Sequence, residues 1–174
     1  MSRDNVILVG FMGAGKSAVG RLLARRLSRC FVETDEMITA REGRSIPEIF
    51  AVDGEPYFRE REAEVLDLLT LKRGEVIASG GGLPCHPGRM EALKALGTVI
   101  WLAGDFETLY ERAQRAGFRP VLDARSRDEV AALYERRIPY YQQAHVTVDI
   151  GSLGVDQIVN RILALLRTRE QVSP

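Results

Sequence analysis

Residues 6–17, Val6-Ile7-Leu8-Val9-Gly10-Phe11-Met12-Gly13-Ala14-Gly15-Lys16-Ser17, pass from an apolar run into glycines and end on Lys-Ser. No other stretch constrains the chain as tightly. Gly10, Gly15, Lys16 and Ser17 satisfy G-x-x-x-x-G-K-[ST], the phosphate-binding P-loop, between a strand-like run and a helix-like one. Gly13 and Gly15 lack the Cβ atoms that would keep a phosphate off the backbone, so successive N–H groups from Gly13, Ala14, Gly15, Lys16, Ser17 and Ala18 can converge on its oxygens. The helix that follows adds its N-terminal dipole. Lys16 supplies a positive charge for the β- and γ-phosphates, and the Ser17 hydroxyl is a hard oxygen suited to Mg²⁺.

The rest of the chain alternates strand-like and helix-like segments. Val19, Leu22, Leu23 and Leu27 share one helical face; Phe31-Val32-Glu33-Thr34-Asp35 reads as a short strand with carboxylates at its end. Ser45-Ile46-Pro47-Glu48 carries the residues of a capping box, which predicts a helix to about Val52, and 57–72 predicts a longer one. Glu75 to Ser79 is a strand running into Gly80-Gly81-Gly82, which reads either as a flexible connector or as a place of close backbone approach. Thr98 to Leu102 is a continuous apolar strand, of the kind buried on both faces of a parallel sheet. Helices are expected after Asp105, from Asp128 to about Ile138 with Pro139 breaking or kinking it, and from Val155 to about Arg167, leaving a frayed tail. A strand over 145–149 completes five, interleaved with helices as in a parallel α/β sheet.

Length and charge narrow the class. A chain of 174 residues suits one compact domain, or one domain with a small mobile insert, and segment 114–127, with four arginines and no clear periodicity, is a candidate lid. Basic and acidic residues balance at 24 each, so no bulk charge favours nucleic acid or membranes. The two cysteines form neither a metal quartet nor a disulfide framework, and no basic leader or long apolar stretch stands out, so a cytoplasmic monomer is expected. There is no guanine-reading Asn-Lys-x-Asp and no apolar strand ending in a Walker-B acid. The magnesium carboxylates must therefore come from elsewhere.

Gly10 to Ser17, Glu33-Thr34-Asp35, Phe58-Arg59, Ser79-Gly80-Gly81-Gly82, Arg119-Pro120 and Arg137-Ile138-Pro139-Tyr140-Tyr141, in this order, resemble shikimate kinase over nearly the whole chain. The resemblance implies a P-loop NTPase-type three-layer α/β fold, similar to nucleoside monophosphate kinases, with a five-stranded parallel sheet between helices. It implies MgATP-dependent phosphorylation of the 3-hydroxyl of shikimate, an acceptor-binding segment over about 33–62, and specific roles. Asp35 meets the acceptor hydroxyls, Glu33 lies near magnesium-bound water, and Arg59, Arg137 and the backbone of Gly80, Gly81 and Gly82 hold the acceptor carboxylate. Arg119 resembles the lid arginine that meets phosphates and substrate, and Arg112 falls where the family stacks a guanidinium on adenine. Glu33 departs from the family's usual aspartate by one methylene. Taken singly, Asp35 also reads as a helix cap, Arg59 as a partner of Glu55 or Glu62, and Arg137 as surface charge. A kinase of another hydroxy acid, such as gluconate, and a nucleotide-binding regulatory module are the rival functions.

Overall fold

Strands β1 (Asn5–Val9), β2 (Phe31–Glu33), β3 (Val76–Ala78), β4 (Gly97–Ala103) and β5 (Val146–Asp149) form one parallel sheet, ordered β2-β3-β1-β4-β5. The computed structural model describes residues 4–116 and 125–172. Val6 to Val9 lie at the middle of the sheet, none more than 3% exposed, which is why that run is apolar without alternation. Ile7 pairs with Ile77 on one side and Val99 on the other.

Helix α1 (Lys16–Leu27) carries β1 leftward to β2, and α2 (Thr34–Glu42), α3 (Ile46–Val52) and α4 (Gly54–Leu69) lead from β2 back to β3. From β3, α5 (Arg89–Leu96) runs to β4; α6 (Phe106–Arg115) and α7 (Arg127–Tyr141) precede β5, and α8 (Val155–Val172) closes the order. Right-handed crossovers put α1 and α8, which pack together, on one face, and α4 and α5 on the other. Neighbouring strands β1 and β3 thus send their connections to opposite faces. A crevice opens between their carboxyl ends, where ligands bind in open α/β sheets.

Several expected boundaries are corrected. Asp35 stands inside the first turn of α2, because the helix starts at Thr34, directly after the last residue of β2. The long helix starts at Gly54 and ends at Leu69, so only Asp53 separates it from α3. Helix α7 begins after Ser126 rather than Asp128: Ser126 Oγ accepts from the Glu129 N–H at 3.3 Å and its own N–H donates to Glu129 Oε2 at 2.7 Å, a reciprocal cap that outcompetes Asp128. Pro139 lies inside that helix without ending it. It falls in the last turn, where a missing N–H costs one bond, and buried Tyr141 beyond it anchors the end. Residues 168–172 continue α8 instead of fraying at Thr168.

The described residues form two hydrophobic cores. The larger fills both faces of the sheet. The smaller, Ile38, Ile49, Phe58 and Val65, joins α2, α3 and α4 away from it, with the Phe50 and Phe58 rings 4.8 Å apart.

Candidate active site

The crevice is a cleft of about 550 Å³, lined on one side by the P-loop and on the other by Phe58, Arg59, Gly80–Gly82 and Arg137. Its nucleotide side is built from contiguous residues. Gly13 and Gly15 adopt φ of 80° and 79°, in the left-handed region that favours glycine. At Gly13 a Cβ would also sit 2.1 Å from the Leu109 carbonyl oxygen, so α6 presses directly on the loop. Gly15 heads α1 with open space beside it and no side-chain cap, which leaves the first N–H groups of that helix directed at the cleft. Lys16 Nζ donates to the Gly10 and Phe11 carbonyls at 2.8 and 3.1 Å, a fold-back that bridges the loop.

Ser17 and Glu33 meet: the hydroxyl donates to Glu33 Oε1, while Glu33 Oε2 lies 3.5 Å from the Arg21 guanidinium. Two hard oxygens at the rim of a phosphate cradle fit Mg²⁺. Among the described residues no group of three or more His, Cys, Asp or Glu could hold a metal by itself, so the remaining ligands would be phosphate and water, as magnesium prefers. The cradle fits a nucleotide polyphosphate on the same grounds.

Asp35 is placed by its neighbour. Buried Thr34 accepts the Gly80 N–H at 2.7 Å, tying the β2–α2 junction to the end of β3 and turning Asp35 toward the glycines. The triple glycine owes its composition to three charged side chains. A Cβ on Gly80 would stand 2.5 Å from Asp35 Oδ1, and one on Gly82 would stand 2.5 Å from Arg59 Nη1 and 3.0 Å from Arg137 Nη2. Gly81 offers its carbonyl to the Tyr141 hydroxyl at 2.7 Å and, more weakly, to the Cys85 thiol at 3.5 Å. This is close backbone approach, not flexible connection.

The two arginines differ. Arg59 bonds Glu55 Oε1 at 2.7 Å and Glu62 Oε2 at 2.8 Å, so both partners weighed from the sequence are real. Burial works against its charge, but those carboxylates outweigh burial and hold the guanidinium above the usual arginine range. Arg137 is only 8% exposed, and among the described residues no carboxylate lies within ion-pair distance of it. Its guanidinium lies 5.6 Å from the Phe11 ring centroid. Nearby, burial pushes the Cys85 thiol and the Tyr141 phenol up, and burial together with the Arg89 and Arg59 cations keeps His86 below the ordinary imidazole value.

The structure therefore gathers Gly13, Gly15, Lys16, Ser17, Ala18, Glu33, Asp35, Arg59, Gly80, Gly81, Gly82 and Arg137 around one cleft. Ala14 is buried behind the loop. Arg112, on α6, donates to the Gly151 carbonyl at 2.9 Å and is not among the residues lining the cleft. Arg119 lies outside the described residues, as does the central part of the lid expected over 114–127. Sequence reading gave no site role to Glu62, Arg89 or Tyr141. Glu62 carried one usable signal, its place three residues after Arg59 on the same helix. Among the described residues no helix is long and apolar enough to cross a membrane.

The shikimate kinase family model matches residues 12–167. A shikimate kinase of Symbiobacterium thermophilum is 44% identical over 169 residues, which span 95% of this chain and 97% of the relative. Among solved structures, shikimate kinase from Acinetobacter baumannii in complex with shikimate superposes with a TM-score of 0.91 at 36% identity, covering 96% of this chain and 94% of that one. Deoxyadenosine kinase from M. mycoides with bound dCTP, at 16% identity, a TM-score of 0.64 and coverage of 94% and 99%, is similar in fold alone.

Proposed function

This chain belongs to the shikimate kinase family, and from that premise we propose a division of labour for its residues in transferring the γ-phosphoryl group of ATP to the 3-hydroxyl of shikimate. The observation that carries the assignment is the buried guanidinium of Arg137, with no carboxylate in ion-pair distance among the described residues, beside Arg59 and facing the P-loop across one cleft.

The backbone from Gly13 to Ala18 binds the polyphosphate. Lys16 leaves the Gly10 and Phe11 carbonyls for phosphate oxygens, exchanging two neutral acceptors for charged ones. Ser17 and Glu33 would hold the magnesium ion, Ser17 directly and Glu33 through water. When bound, that ion neutralises charge on the phosphates. Arg137 and Arg59 clamp the acceptor carboxylate from two sides with planar, charge-assisted hydrogen bonds, and the glycine backbone lets the acceptor lie against β3. Fixing that carboxylate fixes the rest of a rigid ring, which brings one hydroxyl to Asp35. Asp35 orients it and takes its proton as the phosphoryl group arrives. Phosphoryl transfer has a loose transition state, so this positioning and charge neutralisation supply most of the rate.

A coupled assay of ADP release tests the reading with shikimate, its methyl ester and gluconate as acceptors. Turnover with shikimate and little with the other two is expected. Equal turnover of ester and acid would remove the carboxylate clamp, and turnover of gluconate alone would assign a different acceptor to the same cleft.

A further inference from the structure

Arg89, the first residue of α5, reaches back to the acceptor side of the cleft. Its Nη1 bonds Glu62 Oε2 at 3.2 Å, the same oxygen that accepts from Arg59 Nη1 at 2.8 Å, and its Nη2 donates to the Arg59 carbonyl at 2.8 Å. Glu62 is 1% exposed, so its charge is compensated by these two guanidiniums and not by water. Arg89 itself is mostly buried, its side chain 15% exposed, which sets it apart from the surface ion pairs elsewhere on the molecule.

From this sharing we infer that Arg89 is a positioning residue for acceptor recognition: it divides the pull of Glu62, so that the Arg59 guanidinium remains available to an acceptor carboxylate. A buried carboxylate left with one cation would bind it fully, since an unpaired buried charge is costly. Arg59 would then be drawn toward Glu62 and Glu55. The donor bond from Arg89 to the Arg59 carbonyl acts in the same direction by fixing α4 at the residue whose side chain must be placed. Both of Arg89's bonds go to the Glu62–Arg59 pair, so its influence falls first on the acceptor and not on ATP. Segments 55–62 and 80–89 meet here through side chains 27 positions apart in sequence.

This inference rests on the carboxylate clamp proposed above, and kinetics of Arg89→Gln and Arg89→Lys separate the two. Each variant is assayed with shikimate as substrate and with its methyl ester as a competitive inhibitor. For Arg89→Gln the shikimate KM should rise by about 5- to 30-fold, less than loss of a direct charged bond, with kcat and the ATP KM within about twofold of wild type. The ester's inhibition constant should stay nearly constant, so discrimination between acid and ester falls. Arg89→Lys keeps a charge beside Glu62 and should lie between, and it serves alone where the Gln variant does not fold. Unchanged discrimination in whichever variants fold, with the wild type discriminating strongly, overturns the role of Arg89 and leaves the clamp standing. A wild type that does not discriminate overturns the clamp and this inference with it. Equal weakening of acid and ester would also overturn it, because a packing defect affects both.

Discussion

The two sides of the cleft are built in different ways. The nucleotide side is one loop, residues 10–15 between the buried strand β1 and α1, with the first turn of that helix, and it rests on the large core of the sheet. The acceptor side takes residues from α2, α4, the end of β3, α5 and α7, and part of it stands on a separate core of four buried side chains. A loop on a central strand needs only local geometry to bind phosphate. Recognition of a carboxylate needs cations kept charged in a nearly dry place, and only several elements together can arrange their counter-charges. The contrast teaches that the phosphate-binding half is local, whereas the acceptor half is cooperative and easily detuned.

Lys16→Met is the largest perturbation and tests the local half. It removes the charge proposed to move from the Gly10 carbonyl to the transferring phosphoryl, without touching either core, and kcat should fall by at least about 10²- to 10³-fold with the circular dichroism spectrum unchanged. A variant that keeps wild-type turnover would sever the loop from catalysis. Arg137→Lys comes next and tests the distributed half. Lysine keeps the charge but loses the planar fork, so the shikimate KM should rise by roughly 10- to 150-fold, the value of one charge-assisted bond of about 1.5–3 kcal/mol, while the ATP KM hardly moves. Parallel rises in both constants would show that the two sides are not separable.

Ile49→Ala is the mildest in its effect on catalysis and sharpens the comparison most. Ile49 is fully buried in the small core, and truncation there should cost about 2–5 kcal/mol of local packing. Hydrogen exchange should then quicken over 34–69 more than over β1 and β4, with a several-fold rise in the acceptor KM and little change for ATP. Uniform loss of protection across the sheet would mean that the two cores melt as one.

Much of this molecule was legible in order along the chain. The P-loop, the strand order of appearance and the apolar central strands are properties of contiguous residues, set by backbone φ, by periodicity and by burial on both faces. Ser45 and Asp105 as helix caps were legible for the same reason, since a cap is satisfied within three residues. The start of α7 was local too: the sequence reading took Asp128 as its cap, whereas Ser126 and Glu129 form the same reciprocal pattern as Ser45 and Glu48.

What sequence alone determined is the chemistry: a strand, glycines and Lys-Ser in one stretch bind phosphate wherever they fold. Only the tertiary structure decided which arginine, among the described residues, stands without a carboxylate. Taken singly in sequence, Arg59 reads as a partner of Glu55 or Glu62 and Arg137 as surface charge; in the fold Arg59 is indeed shared between those two carboxylates, while Arg137 is buried against Phe11. Asn5 is the structural counterpart, a fully buried side chain whose amide joins Lys72, Glu75 and Leu96 and so aligns three strand starts. The physical reason is the same in both cases. A polar group's worth depends on its desolvation and on its partners, and for Asn5 those partners lie 67 to 91 positions away, at distances that no local pattern encodes.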